Sequence, residues 1–270
     1  MERPNWVPDG VDIDRPNAAR MYDYALGGSH NFAVDRALVE QAEAAMPGAR
    51  QIAHANRAFL RRVVQWLAAN GVRQFLDIGS GIPTLGNVHE VAQRVAPGAR
   101  VLYVDTDPIA VAHSSTMLDG NPDAHAVQGD LRHPGEILDV ARDRLDFAQP
   151  VAVLLFAVLH FIGDADEPAA IVRTFHDAVP AGSYLALSHG TPPIDRGSDA
   201  ETVRRIYTKT PTPLHLRTPE EVLPLIHPFE PVEPGLVPVS EWRPDDDDKP
   251  QRELLGAVAI KPVAGGATGG

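Results

Sequence analysis

Short apolar runs alternate with helical patterns along the chain from residue 74 onward. The runs are near-continuous, as in Val151-Ala-Val-Leu-Leu-Phe156, which is typical of strands covered on both faces. The predicted strands are 75–78, 101–104, 124–128, 151–156 and 184–188, and the predicted helices between them are 85–95, 109–117, 137–145 and 168–178. Because strands joined through helices run parallel, this alternation predicts an α/β fold with a doubly wound sheet.

Two further strands are predicted near the end of the chain, at 235–241 and 255–261. The loop between them contains the acidic run Asp245-Asp-Asp-Asp-Lys249 and no helical pattern, so we expect these strands to pair antiparallel. The count is therefore seven strands with an antiparallel end. A plain dinucleotide-binding Rossmann sheet does not end in this way.

Helical segments surround the predicted sheet in sequence. We predict an N-terminal arm and helical cap at 1–72, a core at 73–263 with an insert at 190–218, and a disordered tail at 264–270. The cap contains three predicted helices: one that begins with Pro16 at its first position and stops at Gly27-Gly28, one at 34–45 and one at 52–69. Further helices are predicted at 200–207 and after Thr218, which is an N-cap residue followed by two acids.

A glycine turn follows the first predicted strand, in Asp77-Ile-Gly-Ser-Gly81. Such a turn brings backbone N–H groups close to a ligand, and an acid at the end of the next strand, Asp105, is placed to bind ribose hydroxyls. The alternative is a purely structural turn. Thr84 stands where dinucleotide binding prefers a third glycine. The turn and the acid at Asp77 therefore favour a phosphate-free cofactor with a cationic amino group, such as S-adenosylmethionine.

Two more strand ends carry candidate side chains. After the third strand, Asp130 is placed to accept a hydrogen bond from an adenine amine and Leu131 to cover the ring, although Asp130 could instead cap the next helix. After the fourth strand, His160 is a candidate general base, or else a histidine that caps backbone groups in the turn. His189 and Tyr207 are weaker candidates for the same role.

These motifs resemble those of a known enzyme class. Asp77-Ile-Gly-Ser-Gly81, Val104-Asp-Thr-Asp-Pro108 and Gly129-Asp-Leu131 resemble the cofactor motifs of class I S-adenosylmethionine-dependent methyltransferases. The runs that start at Arg15 and Ala55, and Phe156-Ala-Val-Leu-His-Phe161, look like the signature of an actinobacterial methyltransferase family with unassigned substrate. The resemblance covers nearly the whole chain. It implies a Rossmann-like seven-stranded sheet in the order 3-2-1-4-5-7-6, with strand 7 antiparallel and the cofactor over the strand ends.

The resemblance also implies a set of site residues. Gly79 and Gly81 should face the methionine part of the cofactor, Asp105 its ribose and Asp130 its adenine, with Asp107 as a lower-ranked second acid. The full cofactor-binding set is Gly28, Arg57, Asp77, Gly79, Ser80, Gly81, Asp105, Thr106, Asp130, Leu131 and Phe156, and the catalytic set is Tyr22 and His160. No metal ligand is predicted.

Three residues of the cap carry specific expectations. Arg57 could pair with the methionine carboxylate, or else form a surface salt bridge. Tyr22 or Tyr24 could form a wall beside the methyl group, or else pack in the core of a short helix.

Composition limits the classes of molecule that the protein is expected to bind. The net charge of −12 argues against broad binding to nucleic acid or anionic membrane. The absence of cysteine excludes disulfides, thiolate catalysis and cysteine-bound metals. No signal peptide and no long apolar span is seen, so we expect a cytoplasmic enzyme that acts on a small-molecule acceptor. Two other functions remain open: a non-catalytic sensor of the cofactor and an NAD-dependent oxidoreductase.

Overall fold

One mixed sheet forms the centre of the molecule. The computed structural model describes residues 12–83, 86–192, 202, 205–208, 210, 212–246 and 248–263. The strands are β1 Gln74–Ile78, β2 Arg100–Asp105, β3 Ala124–Gln128, β4 Ala152–Phe156, β5 Tyr184–Gly190, β6 Glu230–Pro231, β7 Val237–Pro238 and β8 Leu254–Ile260. Their order is β3-β2-β1-β4-β5-β8-β6, with β7 also on β8. The first five strands are parallel, and β8 is antiparallel to its neighbours.

This arrangement confirms the predicted fold class, because the last strand, β8, lies between β5 and β6. The sixth predicted strand differs in detail. Instead of one strand at 235–241, the structure has two short pairings, β6 and β7. Pro231, Pro234 and Pro238 lie in this stretch, and proline cannot donate to a sheet ladder, so a long strand cannot form there.

Eight helices with described bounds flank the sheet: α1 Ala18–Ala25, α2 Ala33–Ala45, α3 Ala49–Ala69, α4 Val88–Val95, α5 Pro108–Met117, α6 Pro134–Arg142, α7 Pro168–Ala178 and α8 Pro219–Ile226. They confirm the predicted alternation. The start of α1 is a correction, because Pro16 precedes the helix and Asn17 is its N-cap, with Oδ1 accepting from Ala19 N at 2.8 Å. A short 3₁₀ helix, Leu159–Phe161, follows β4.

Two apolar clusters cover the two faces of the sheet. On one face, α6, α7 and α8 pack on β4 and β5. On the other, α3 and α4 pack on β1 and β2, and Phe59, Val63 and Leu67 of α3 are fully buried there. The C-terminal half of α3 therefore fixes the helical cap to the sheet. The predicted domain boundaries stay a prediction.

Some predictions fall partly or wholly on residues outside the described ranges. These are the arm at 1–11, the Thr84 position and the first residue of the helix predicted at 85–95, half of the helix at 200–207, and the tail at 264–270. Within the described helices, none is long and apolar enough to cross a bilayer.

Candidate functional site

A large cavity opens over the carboxyl ends of β1, β2 and β4. Its volume is about 970 Å³, and it reaches from these strand ends up to α1, α2 and residues 212–216. The predicted site residues that line it are Tyr22, Arg57, Asp77, Gly79, Ser80, Gly81, Asp105, Thr106, Asp130, Leu131, Phe156 and His160. Gly28 and the weaker candidates Tyr24 and His189 do not line it.

The glycine turn after β1 is held by backbone contacts to β2. Gly79 N and Ser80 N both donate to Val104 O, at 2.8 and 3.2 Å. Gly79 has a φ of 70°, and a Cβ there would lie 2.3 Å from Cγ2 of Val158. Only glycine fits this position, because a side chain would be strained and would also clash. The turn thus leaves bare backbone facing the cavity.

Asp105 joins the turn to the end of β2. Its Oδ2 accepts from Gly81 N at 2.7 Å, and its Oδ1 accepts from Asp107 N at 2.8 Å. Each carboxylate oxygen keeps a second lone pair for a ligand hydroxyl. Burial raises the pKa of Asp105 to about 6, against the lowering effect of these two backbone bonds.

Asp107 has two roles at this strand end. One oxygen caps α5 by accepting from Ile109 N at 2.8 Å, and Pro108 takes the first helical position. The other oxygen, Oδ2, is buried and has no hydrogen-bond partner among the described residues. A buried carboxylate oxygen without a partner is costly, so Asp107 is suited to a ligand hydroxyl.

Asp77 and Arg57 are groups of opposite charge that influence each other without forming a salt bridge in the described part of the chain. Burial raises the pKa of Asp77 to about 7, Arg57 opposes this rise, and Asp105 adds to it. The guanidinium of Arg57 lies 6.0 Å from the ring centroid of Tyr22. Its Nε is buried without a hydrogen-bond partner in the described part of the chain, where no salt bridge of Arg57 is found either. The surface salt-bridge alternative is therefore not observed.

Asp130 and Leu131 lie beyond β3. Leu131 is buried in the core, whereas Asp130 is partly exposed and accepts from Arg132 Nε at 3.0 Å. The N-cap alternative for Asp130 is wrong, because His133 caps α6. Adenine contact by Asp130 stays a prediction, with Arg132 as a competing partner for its carboxylate.

Of the two cap tyrosines, only Tyr22 lines the cavity. Its hydroxyl donates to Ala53 O at 3.1 Å and accepts from Asn56 Nδ2 at 2.9 Å. Burial raises its pKa. Tyr24 instead donates to Glu40 at 2.7 Å and lies under Arg50. Tyr22 therefore forms part of the cavity wall, and its hydroxyl is already used in two hydrogen bonds within the protein.

His160 is buried in the turn after β4. Its Nδ1 accepts from Gly190 N at 3.0 Å, so the ring proton is at Nε2. Burial holds the pKa of His160 well below its usual range. In this tautomer the lone pair of Nδ1 is occupied and Nε2 is a donor, which favours the backbone-capping alternative. The general-base role stays a prediction.

Two further predictions are corrected by packing. A Cβ on Gly28 would lie 2.0 Å from Oδ1 of Asp23, so Gly28 packs on this buried carboxylate and outside the cavity. His189 is also buried away from the cavity, and its Nε2 accepts from Arg217 Nη1 at 3.0 Å. Both positions looked functional because glycine and histidine are common in sites, and the partner of His189 is 28 residues away in sequence.

Several lining residues were missed by the sequence analysis. His215 lies on the cavity and its backbone N donates to His160 O at 2.8 Å, while Asn56 joins Tyr22 to Ser188 Oγ at 2.6 Å. The segment around His215 is rich in proline and threonine and has no periodicity. For the cap side of the cavity, the signals were the signature runs that start at Arg15 and Ala55, which contain Tyr22 and Arg57.

The sheet order, with an antiparallel strand between β5 and β6, is that of the Rossmann-like methyltransferase fold. The sequence matches the family described as S-adenosyl methyltransferase over residues 4–264, and the chain belongs to that family. The protein is therefore an S-adenosylmethionine-dependent methyltransferase, and S-adenosylmethionine is its cofactor. This membership decides against the NAD-dependent oxidoreductase.

Solved structures agree with this assignment. A DUF574 family protein from Streptomyces avermitilis is 39% identical, with 93% of this chain and 99% of that chain covered and a TM-score of 0.88. A protein from Thermobifida fusca, provisionally described as a methyltransferase, is 37% identical, with 96% and 100% covered and a TM-score of 0.89. The N-methyltransferase NodS from Bradyrhizobium japonicum, in complex with S-adenosyl-L-homocysteine, shares the fold at 13% identity, with 90% and 100% covered and a TM-score of 0.51. No curated protein matches the sequence significantly.

The residues present fit this cofactor. The unpartnered Nε of Arg57 suits a carboxylate, and the unpartnered oxygen of Asp107 suits a hydroxyl. The glycine turn leaves room beside the backbone at Gly81, where a Cβ would meet nothing within 4 Å. A zwitterionic amino acid joined to a nucleoside has all of these groups.

Proposed function

We propose that this protein transfers the methyl group of S-adenosylmethionine by direct displacement to a small-molecule acceptor. The observation that carries this proposal is the extent of the cavity. It continues from the strand ends into the space between the cap and residues 212–216. A sensor that only binds the cofactor has no need of this second space.

Arg57 of α3 and the acids at the strand ends each have a role in the proposal. Arg57 binds the methionine carboxylate and Asp77 the ammonium group. Asp105 and Asp107 accept from the ribose hydroxyls, and Asp130 accepts from the adenine amine while Leu131 covers the ring. Ser80, Thr106 and Phe156 complete the lining.

The sulfonium of the bound cofactor supplies an electrophilic methyl group. The protein then has to align the acceptor with it and exclude water, and such positioning can supply most of the acceleration. Tyr22 is the wall that orients the reacting groups. In the observed tautomer, Nε2 of His160 can donate a hydrogen bond but cannot take a proton from the acceptor. The atom of the acceptor that is methylated therefore has to enter the site with a free lone pair.

Label transfer tests the proposal. Purified protein is incubated with methyl-labelled S-adenosylmethionine and a cell extract that has been separated into small molecules and macromolecules. We expect label in a small molecule, detected by mass spectrometry, and none with Asp105→Ala protein. Label confined to the macromolecular fraction would contradict the proposal.

A further inference from the structure

The upper part of the cavity differs in chemistry from the strand ends. We propose that it binds an uncharged, predominantly apolar acceptor with a ring-sized body, and that the hydroxyl of Tyr207 donates a hydrogen bond to the acceptor's heteroatom. This inference rests on the proposed function, since it names the class of molecule that receives the methyl group.

The cap side of this space is apolar. Met21 of α1, Val39 and Ala42 of α2, and Met46 line the cavity, and their exposed fractions are 2%, 6%, 7% and 9%. Methionine side chains adapt to flat apolar molecules because they are unbranched and polarisable. This wall therefore favours a ligand with apolar surface and offers it no hydrogen bond.

The apolar wall continues into an aromatic part. Phe161 and Tyr207 both line the cavity, and their ring centroids are 5.7 Å apart with an interplanar angle of 38°. Ile206 and Tyr207 pack against the cluster that contains Met21, Val39 and Ala42, so this part is fixed to the cap. Two tilted rings next to apolar cap residues suit a ligand with a ring system.

Tyr207 provides a polar group in this part of the cavity. It is partly buried and lines the cavity, and no hydrogen bond of its hydroxyl to another described residue is found. Burial raises the pKa of Tyr207 to about 12, so the phenol stays protonated and acts as a donor. A phenol that lines an apolar cavity can donate to the heteroatom of a bound acceptor.

Formal charge is concentrated elsewhere in the cavity. Among the described lining residues of α2 and of 207–216, none is Asp, Glu, Lys or Arg. Of the four cap arginines that line the cavity, Arg20 faces Asp35, Arg50 binds Glu40, and Arg57 is assigned to the methionine carboxylate in the proposed function. A charged acceptor would lose its hydration without gaining a counter-ion, which is costly.

Matched ring compounds test this class. Protein saturated with S-adenosylhomocysteine is titrated with 2-naphthol, 2-naphthoate and naphthalene, and binding is followed by saturation-transfer NMR. We expect 2-naphthol to bind at least about tenfold more tightly than 2-naphthoate, because the carboxylate finds no partner. Equal or tighter binding of 2-naphthoate, or no binding of the uncharged compounds, would overturn the inference.

Tyr207→Phe tests the hydroxyl separately. This variant should weaken 2-naphthol binding about 3- to 10-fold and leave naphthalene binding unchanged, as expected for one lost hydrogen bond. An unchanged affinity for 2-naphthol would remove Tyr207 from the site. Label transfer from the extract tests methyl transfer itself, so failure of the ring compounds alone leaves the proposed function standing.

Discussion

Arg57 is a residue at the site whose side chain does not use all of its hydrogen-bond donors within the described chain. Its guanidinium lies beside the ring of Tyr22 and near the buried Asp77, and its Nε has no partner in the described part of the chain. An arginine in this state is prepared for a carboxylate, with which it can form two parallel hydrogen bonds. The sequence identified Arg57 as a candidate but could not decide between this role and a surface ion pair.

The Arg57→Met variant should weaken S-adenosylhomocysteine binding by about 1.5–3 kcal/mol, because a charge-assisted hydrogen bond is lost. Isothermal titration calorimetry measures this change. Adenosine lacks the carboxylate and should bind both proteins equally. Arg61→Met is the matched control variant, since Arg61 is exposed and does not line the cavity. An equal loss in both variants would remove Arg57 from the cofactor site.

At the scale of elements, a buried ion pair joins two helices of the cap. Arg20 of α1 faces Asp35 of α2 at 3.3 Å, and the two side chains are 3% and 0% exposed. Asp35 also accepts from Asn17 N and Phe32 N, at 2.9 and 2.8 Å. One carboxylate thus fixes the start of α1 to the start of α2, and with it the wall that carries Tyr22.

Arg20→Met should lower the free energy of unfolding by about 3–5 kcal/mol, because it leaves a buried carboxylate without its counter-ion. Urea unfolding measures this loss. Arg50→Met breaks the exposed pair with Glu40, which is 57% exposed, and should cost less than about 1 kcal/mol. Similar losses in the two variants would mean that the buried pair does not hold the cap.

The elements themselves could be predicted from the sequence because their signals are local. Apolar runs and helical spacing located the five parallel strands and the helices between them. The sixth strand was the exception. Its apolar residues predicted a continuous strand, whereas three prolines restrict it to two short pairings with β8.

For the whole molecule, buried acids at the strand ends make stability depend on pH. The pKa of Asp77 is raised from 3.8 to about 7, so the folded protein binds this proton more tightly than the unfolded chain does. The neutral carboxyl group is favoured in the folded state. Stability is therefore lost as the pH rises from about 4 to about 7, and the loss is complete above that range.

Asp77→Asn removes the buried ionisable group. The melting temperature of the variant, relative to the unmodified protein, should therefore increase between pH 5 and pH 8, with most of the increase below the pKa of about 7. Differential scanning calorimetry at constant ionic strength measures this. Asp119→Asn, at an exposed position, controls for the loss of a surface charge. A difference in melting temperature that does not change with pH would show that Asp77 does not titrate in this range.

The sequence by itself determined the parallel sheet, the glycine turn and the carboxylates at the ends of β1 and β2, since each follows from residues close together in the chain. Only the tertiary structure decided what His160, Gly28 and Tyr22 do. The His160 ring is fixed by the backbone of Gly190, which is 30 residues away, and Tyr22 reaches Asn56, which is 34 residues away. A side chain's tautomer, packing and access to a cavity depend on such distant partners, and local sequence patterns carry no information about them.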